Sequence, residues 1–192
     1  MWQQLLPALR INIFFTILLG LAYPLGMTGI CQLVFPHQAN GSLIAAKGAT
    51  VGSSLIAQGF SKPEYFHPRP SMAGNGYDAT SSGGSNYGPT NKKLIDRVQA
   101  AVDQFRKENP DYHGPIPADL LTASASGLDP DISPDSALAQ AARVAKARGV
   151  SLERINSLVA SHTQQPDLGI LGEPRVNVLK LNLELDRQFS RR

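Results

Sequence analysis

The sequence predicts an α+β soluble domain carried by a single N-terminal transmembrane helix. Three observations predict this arrangement: a long uncharged stretch near the N-terminus, several helical apolar periods with recognisable caps, and a few short strand-like segments. The strands do not alternate regularly with the helices, which favours an α+β domain over a parallel α/β fold. The chain has 192 residues, and the part that follows the apolar stretch is long enough for one domain with its own core.

The uncharged stretch runs for 25 residues, from Ile11 to Phe35. As a helix it measures about 37 Å, which exceeds a hydrocarbon core of roughly 30 Å. A cleavable signal peptide has a shorter apolar region after a basic start, so an uncleaved anchor is favoured. We therefore divide the chain into residues 1–10, a transmembrane helix at 11–35 and a soluble domain at 36–192.

The orientation of the anchor follows from its flanking charges. Arg10 is the only charged side chain among the first 36 residues, and the next Lys on the other side is Lys47. The positive-inside tendency predicts that the N-terminus lies in the cytoplasm and the soluble domain on the outer side of the membrane. Small residues and one proline in this stretch predict packing against another membrane helix, the alternative being their ordinary frequency in such helices: Thr16, Gly20, Ala22, Pro24 and Gly26.

Charge and cysteine content exclude several classes of function. Once Arg10 is set aside, 17 basic residues face 15 acidic ones, so the sequence contains no basic surplus that would grip nucleic acid. The single cysteine, Cys31, lies in the apolar stretch, which rules out an intrachain disulfide and a thiol nucleophile in the soluble domain. The four histidines show no metal-ligand spacing, and no phosphate-binding loop or serine-hydrolase elbow is present. We predict no catalytic and no metal-binding residues.

The elements of the soluble domain follow in order along the chain. Residues 43–60 predict short strands and turns, and residues 63–91, rich in Gly, Ser, Pro and Asn, predict a long functional loop, with a disordered linker as the alternative. Thr90 or Asn91 caps a helix that ends before Pro110, Ser133 caps a helix that ends at Gly149, and Ser151 caps a third. Alternation of Leu with polar residues at 176–185 predicts a half-buried closing strand.

Two polar segments remain as candidate binding elements. In the first, at residues 81–86, glycines can expose successive N–H groups to an anion or to a partner's carbonyls, although an ordinary Gly-Ser loop explains it as well. The second, at residues 124–130, leads into the helix that carries Gln140, Arg143, Lys146 and Arg148. Basic residues late in a helix also have a purely structural explanation, because they stabilise its C-terminal dipole.

Five motifs in order give a resemblance to a known family. They are Tyr65-Phe66-His67-Pro68-Arg69-Pro70-Ser71, Ser82-Gly83-Gly84-Ser85-Asn86, Thr122-Ala123-Ser124-Ala125-Ser126-Gly127-Leu128-Asp129, Arg143-Val144-Ala145-Lys146-Ala147-Arg148 and Val176-Asn177-Val178-Leu179-Lys180-Leu181-Asn182-Leu183. Behind one N-terminal anchor, this series closely resembles the C subunit (KdpC family) of the bacterial Kdp potassium-transporting P-type ATPase.

The resemblance implies an accessory, non-catalytic subunit of an ATP-driven high-affinity potassium uptake complex. Its implied partners are a channel-like potassium-binding subunit, which carries the ion, and an ATP-hydrolysing P-type subunit, besides membrane lipid. It further implies a catalytic chaperone that raises the ATP affinity of the hydrolysing subunit, so that ATP is met only through that partner and no cofactor is bound covalently. The residues carried over as tentative nucleotide or partner contacts are Ser82, Gly83, Gly84, Ser85, Asn86 and Gln140.

Two alternatives stay open at the level of sequence. A free-standing membrane-anchored periplasmic enzyme or solute-binding domain requires a polar pocket with convergent titratable groups. A secreted protein requires cleavage near Ser42. A periplasmic soluble domain also stands in tension with direct contact to cytoplasmic ATP, which favours the structural role over the nucleotide role.

Overall fold

The computed structural model describes residues 2–46 and 48–189 and divides the chain into two units, one up to Val51 and one from Gly52. The N-terminal unit is a helical run made of α1 (Trp2–Ile17), a π-helical turn (Leu18–Ala22) and α2 (Tyr23–Val34). This run is long and apolar enough to cross a membrane, and none of its apolar window is buried within the protein. The anchor helix therefore starts well before the uncharged stretch.

The anchor is followed by short elements. Helix α3 (Pro36–Ala39) is a single turn, and strands β1 (Leu43–Ala46) and β2 (Ala49–Ser53) form a two-stranded sheet. The predicted short strands in this region are thus confirmed. Residues 54–91 then contain no helix or strand, as the composition of this segment predicts.

The three predicted helices are confirmed, and a capping side-chain hydrogen bond is present at the start of the first two but not at Ser151. Helix α4 (Lys92–Glu108) is capped by Asn91, whose side chain accepts a hydrogen bond from the Lys93 N–H. Helix α5 (Pro134–Arg148) starts at Ser133, which accepts from the Ser136 N–H, and ends at Gly149 with a left-handed φ of 67°. Helix α6 (Leu152–His162) begins after Ser151.

A small antiparallel sheet and a last helix complete the C-terminal unit. Strand β5 (Arg175–Asn177) lies between β3 (Asp131–Ile132) and β4 (Thr163–Gln164), with Val176 opposite both Ile132 and Thr163. A 3₁₀ turn (Ala118–Leu120) precedes β3. The main core lies where α5, α6, β5 and the last helix meet, and Phe66 from the long loop is fully buried in it.

The predicted closing strand at 176–185 is wrong beyond Asn177, because residues Val178–Gln188 form helix α7. The Asn177 side chain accepts a hydrogen bond from the Lys180 N–H and so caps a helix. Leu181 and Leu185 are buried four residues apart, and the segment is rich in good helix formers without β-branched residues after Val178. The alternating leucines therefore satisfy a helical period at the same time as a strand period.

Candidate functional site

Polar side chains from several of the quoted motifs converge on one extended stretch, residues 63–71, which we call the clamped segment. Two buried side-chain amides hold its backbone. Asn182 on α7 accepts from the Phe66 N–H at 2.9 Å and donates to the Phe66 carbonyl at 2.9 Å. Gln140 on α5 does the same for His67, at 2.8 Å and 3.1 Å. Each amide thus makes the two backbone hydrogen bonds that a neighbouring β-strand would otherwise make with one residue of the clamped segment.

Gln140 has no free hydrogen-bonding capacity in this arrangement. Its Oε1 also accepts from the Arg143 guanidinium at 2.7 Å, and its Nε2 also donates to the Ser136 carbonyl at 3.2 Å. An amide has two donor hydrogens and two acceptor lone pairs, and all four are used. With a side chain that is only 1% exposed, Gln140 supports the loop from inside.

Arg143 connects the clamped segment to the end of α4. Its guanidinium donates to the carbonyls of Pro63 and Tyr65 at 2.7 and 2.9 Å, and to Asn109 Oδ1 at 3.0 Å. Burial lowers the pKa of Arg143 to about 10, so the group stays charged at neutral pH. A buried cation with several carbonyl acceptors holds three separate chain segments in one geometry.

His67 lies beside this cation and forms one wall of a cleft of about 270 Å³ between α4 and the clamped segment. Its Nδ1 is 3.3 Å from Glu108 Oε2, and its Nε2 is 3.1 Å from the Lys62 carbonyl. Burial and the Arg143 charge lower the pKa of His67 below its usual 6.5, although the Lys62 carbonyl and Glu108 act in the opposite direction. The cleft is slightly smaller than common small-molecule sites, which span roughly 300–1,000 Å³.

Arg148 holds the start of the same segment against the C-terminal helix. It donates to the Glu64 carbonyl at 2.9 Å and to Asp186 at 2.8 Å, and its guanidinium carbon lies 4.8 Å from the centre of the Tyr65 ring. The Tyr65 hydroxyl in turn donates to Asp186 at 3.0 Å. Arg143 and Arg148 of α5 therefore bind the backbone of the long loop, in addition to any effect on the helix dipole.

The predicted binding loop at residues 82–86 packs against the second candidate segment. The Gly83 N–H donates to the Ser126 carbonyl at 2.9 Å, and the Ser82 hydroxyl donates to the same oxygen at 3.0 Å. A Cβ at Gly84 would lie 2.8 Å from the Ala125 carbonyl oxygen, so only glycine fits at this close approach. The Gly83 N–H is consequently engaged within the chain, while Ser82 and Asn86 remain exposed on the outer side.

Residues 63–91 and 124–130 contact each other, and we call these two segments together the loop layer. Residues 69–77 make further contacts within this layer. The Ser71 hydroxyl donates to the Gly127 carbonyl at 2.6 Å and accepts from the Tyr77 N–H, and Arg69 pairs with Asp129 at 2.8 Å. The Tyr77 hydroxyl donates to the Arg69 carbonyl, and burial raises the pKa of Tyr77 to about 12. The long loop is therefore ordered by hydrogen bonds within itself and to the rest of the C-terminal unit, as its aromatic content predicts.

In the anchor, the predicted packing residues lie on an exposed helix with a local widening. The Tyr23 N–H bonds to the Leu18 carbonyl, a π-type bond one residue longer than in an α-helix. Pro24 would otherwise press its ring against the carbonyl of Gly20, and the π turn relieves this clash. Thr16 and Gly20 share a shallow groove along the helix with Asn12, while Gly26 has no neighbouring atom where a Cβ would stand. Ala22 closes the π turn.

The structure places the predicted nucleotide or partner contacts in two positions on the same loop layer. Gln140 holds residue 67, whereas Gly83 and Gly84 contact residues 125 and 126. Sequence reasoning missed the parts played by His67, Glu108, Asn109 and Asn182. Polar residues at helical spacing inside apolar faces were the available signal, namely Ser136, Gln140 and Arg143 on α5 and Asn182 on α7.

Comparisons with known proteins extend over almost the whole chain. The family model KdpC, described as K+-transporting ATPase, c chain, matches residues 5–187. A potassium-transporting ATPase KdpC subunit of Myxococcus xanthus is 55% identical over 191 residues, which cover 99% of this chain and 90% of that protein. The corresponding proteins of Rhodospirillum rubrum and Caulobacter vibrioides are 57% and 56% identical, with coverage of 98% of this chain and 98% and 95% of theirs.

Proposed function

The chain belongs to the KdpC family of potassium-transporting ATPase subunits, and from this premise we propose that it is the accessory, non-catalytic subunit that stabilises the complex. The observation that carries the proposal is the extent of the family match, which includes both the anchor and the C-terminal unit. An accessory subunit needs a membrane tether and a rigid head. The anchor supplies the first, and the network around Arg143, Gln140 and Asn182 supplies the second.

The contacts of the polar side chains in the candidate site support a structural role for them rather than a catalytic one. His67 is paired with Glu108, Arg143 is surrounded by acceptors, and Gln140 is saturated. Among the described residues, no group of three or more His, Cys, Asp or Glu side chains is arranged to hold a metal ion. These side chains order the loop layer, which is then available for contact with a partner.

We further propose that the anchor crosses the inner membrane once, with its N-terminus in the cytoplasm and the C-terminal unit in the periplasm. Arg10 near the start of the helix and the lack of charge between it and the far side support this orientation. Protease added to intact spheroplasts should then digest the C-terminal unit. Digestion only after the membrane is broken would contradict this orientation.

The partners in this proposal are a channel-like potassium-binding subunit, which carries the ion, and an ATP-hydrolysing P-type subunit. We also propose that the chain acts as a catalytic chaperone, which means that it raises the affinity of the hydrolysing subunit for ATP. Because Gln140 is buried and saturated, it could reach a nucleotide only by breaking four hydrogen bonds. We therefore propose that the chain changes ATP affinity through its partner, with the outer side of residues 82–86 as the contact.

The complex isolated with and without this chain tests both parts. We expect deletion to reduce recovery of the intact complex and to abolish ATP-driven potassium uptake. In any transporter complex that still assembles without this chain, we expect the KM for ATP to rise. If the chain purifies alone from native membranes and uptake continues without it, the accessory role is wrong. If only the KM is unchanged, the assembly role stands and the effect on ATP affinity is wrong.

A further inference from the structure

The loop between β4 and β5 presents the most exposed aliphatic side chains of the described C-terminal unit. Leu168 is 89% exposed and Ile170 is 81% exposed, whereas the next large apolar side chain in this unit, Leu55, is 61% exposed. We call residues 166–172 the apolar turn. Exposed single hydrophobic residues are common, but two at the tip of one ordered turn require a reason.

The apolar turn has a defined conformation. The Asp167 and Leu171 backbones exchange two hydrogen bonds of 2.9 Å, and the Gly169 N–H donates to the Pro166 carbonyl at 3.0 Å. Leu168 has a φ of 55°, in the left-handed region that a residue with a Cβ adopts only at a cost. Strain of this kind persists where the surrounding structure over-determines it, and such residues cluster at binding sites.

The charges around the apolar turn decide between two classes of occupant. Asp167 within the turn and Glu173 just after it are exposed, while Arg175 forms ion pairs with Asp131 at 3.5 Å and with Asp167 at 3.9 Å. Segments that bind membrane surfaces typically carry Lys and Arg beside their apolar residues, because these cations are attracted to anionic lipids. An acidic flank instead complements a protein pocket with an apolar floor and a basic rim.

We propose that the apolar turn is a docking knob that inserts Leu168 and Ile170 into an apolar pocket with a basic rim on a protein subunit of the transporter. This inference rests on the proposed function, because it assigns to the accessory subunit a second contact surface besides the outer side of residues 82–86. The left-handed backbone at Leu168 presents both side chains on the same short turn, so little ordering remains to be done on binding.

The first test measures the affinity of the full-length chain, in detergent, for transporter complex isolated without it. We expect the double variant Leu168→Ser with Ile170→Ser to bind at least tenfold more weakly, equivalent to ~1.4 kcal/mol. The matched control is Leu55→Ser, an exposed leucine outside the turn, which should bind within about twofold of the wild type. Equal affinity of the double variant and the wild type would overturn the proposal.

A second variant separates docking from folding. Leu168→Gly removes the side chain but suits the left-handed backbone, so we expect a Tm equal to or above that of the wild type together with weaker binding. Binding equal to that of the wild type would count against the knob. Glu173→Lys tests the occupant, because charge reversal should weaken binding to a basic rim and strengthen any contact with anionic lipid.

Crosslinking in native membranes identifies the occupant directly. A photoreactive residue at Ile170 should form an adduct with a membrane subunit of the complex, resolved by mass spectrometry. Adducts with lipid alone, or with a second copy of this chain, would overturn the proposal. If the wild-type chain forms no complex with any partner, the proposed function itself fails; if it does so and the double variant does so equally, only the knob is wrong.

Discussion

Asn182 is a buried amide whose loss should be costly, because it satisfies both backbone groups of Phe66 in the core. Replacing it with Ala leaves one buried N–H and one buried carbonyl without partners, at roughly 1–3 kcal/mol each. We expect Asn182→Ala to lower the free energy of unfolding by about 3 kcal/mol. Urea unfolding of the full chain in detergent measures this change.

Gln99 provides the control for this prediction. Its side chain bonds to Asp103 on the exposed face of α4, so Gln99→Ala should change the free energy of unfolding by less than about 0.5 kcal/mol. A second comparison is Asn182→Asp, which keeps the acceptor for the Phe66 N–H and loses the donor to the Phe66 carbonyl. If Asn182→Ala were as stable as Gln99→Ala, the clamp would contribute nothing.

His67 gives the fold a dependence on pH with a definite sign. Because burial and Arg143 lower the pKa of His67, the unfolded chain takes up a proton near pH 6.5 that the folded chain does not. The stabilising contribution is therefore fully present above pH 6.5 and is lost as the pH falls through the pKa of the folded state. We expect the free energy of unfolding to decrease between pH 7.5 and 5.5, and His67→Gln to flatten this decrease.

Glu108 sharpens the same prediction, since its charge raises the pKa of His67. Removing the charge in Glu108→Gln should lower that pKa further and make the decrease in stability toward pH 5.5 steeper. The exposed His113 is the matched control, and His113→Asn should leave the profile of the wild type unchanged. A flat wild-type profile, or one that rises toward low pH, would refute the assigned direction.

Single residues show where sequence reasoning stopped. The basic residues of α5 were interpreted through the helix dipole, which acts locally and can be read from position alone. The bonds of Arg143 to Pro63 and Tyr65 join residues about 80 positions apart, and no local pattern encodes such a pairing. The same holds for Gln140 and Asn182, whose partners are backbone groups and therefore leave no trace in the side-chain sequence.

The helices were predictable where their ends carried chemical signals. Asn91, Ser133 and Gly149 mark boundaries that the structure reproduces, since caps and left-handed stops depend on a few neighbouring residues. Helix α7 was mistaken for a strand because leucines at 179, 181, 183 and 185 fit a period of two. The cap at Asn177 carried the correct information.

Helix α4 should be the least protected long helix of the C-terminal unit. Phe105 is the only buried residue described in α4, and Ile95 is 57% exposed, whereas α5 buries eight residues. Local opening is easier where few apolar contacts are lost. In hydrogen exchange of the full chain, we expect amides at 94–101 to exchange at least tenfold faster than those at 140–145. Similar protection in both helices would contradict this.

The two units are encoded by separate parts of the sequence and differ in how well the sequence predicts them. The anchor is evident from length and lack of charge alone, because crossing a bilayer constrains little else. The C-terminal unit depends on long-range pairings, so helices α4, α5 and α6 were predicted, whereas helix α7 and the three-stranded sheet were not. The main core is formed by residues from Phe66 onward, all within the C-terminal unit. Its stability should therefore not depend on which helix anchors it.

The anchor should then affect assembly without affecting the fold. Leucines at the small positions, as in Gly20→Leu with Gly26→Leu, would block close approach of a partner helix, and leucine favours a helix over glycine by about 1 kcal/mol, so the helix itself is not weakened. We expect recovery of the chain in the transporter complex to fall severalfold, while the Tm of the C-terminal unit stays within about 2 °C. Co-purification and thermal unfolding measure the two effects. Leu21→Ile, an exposed change in the same helix outside the small positions, is the control and should leave both unchanged. Normal recovery of the double variant would exclude packing through Gly20 and Gly26, and a lowered Tm would contradict the separation of the two units.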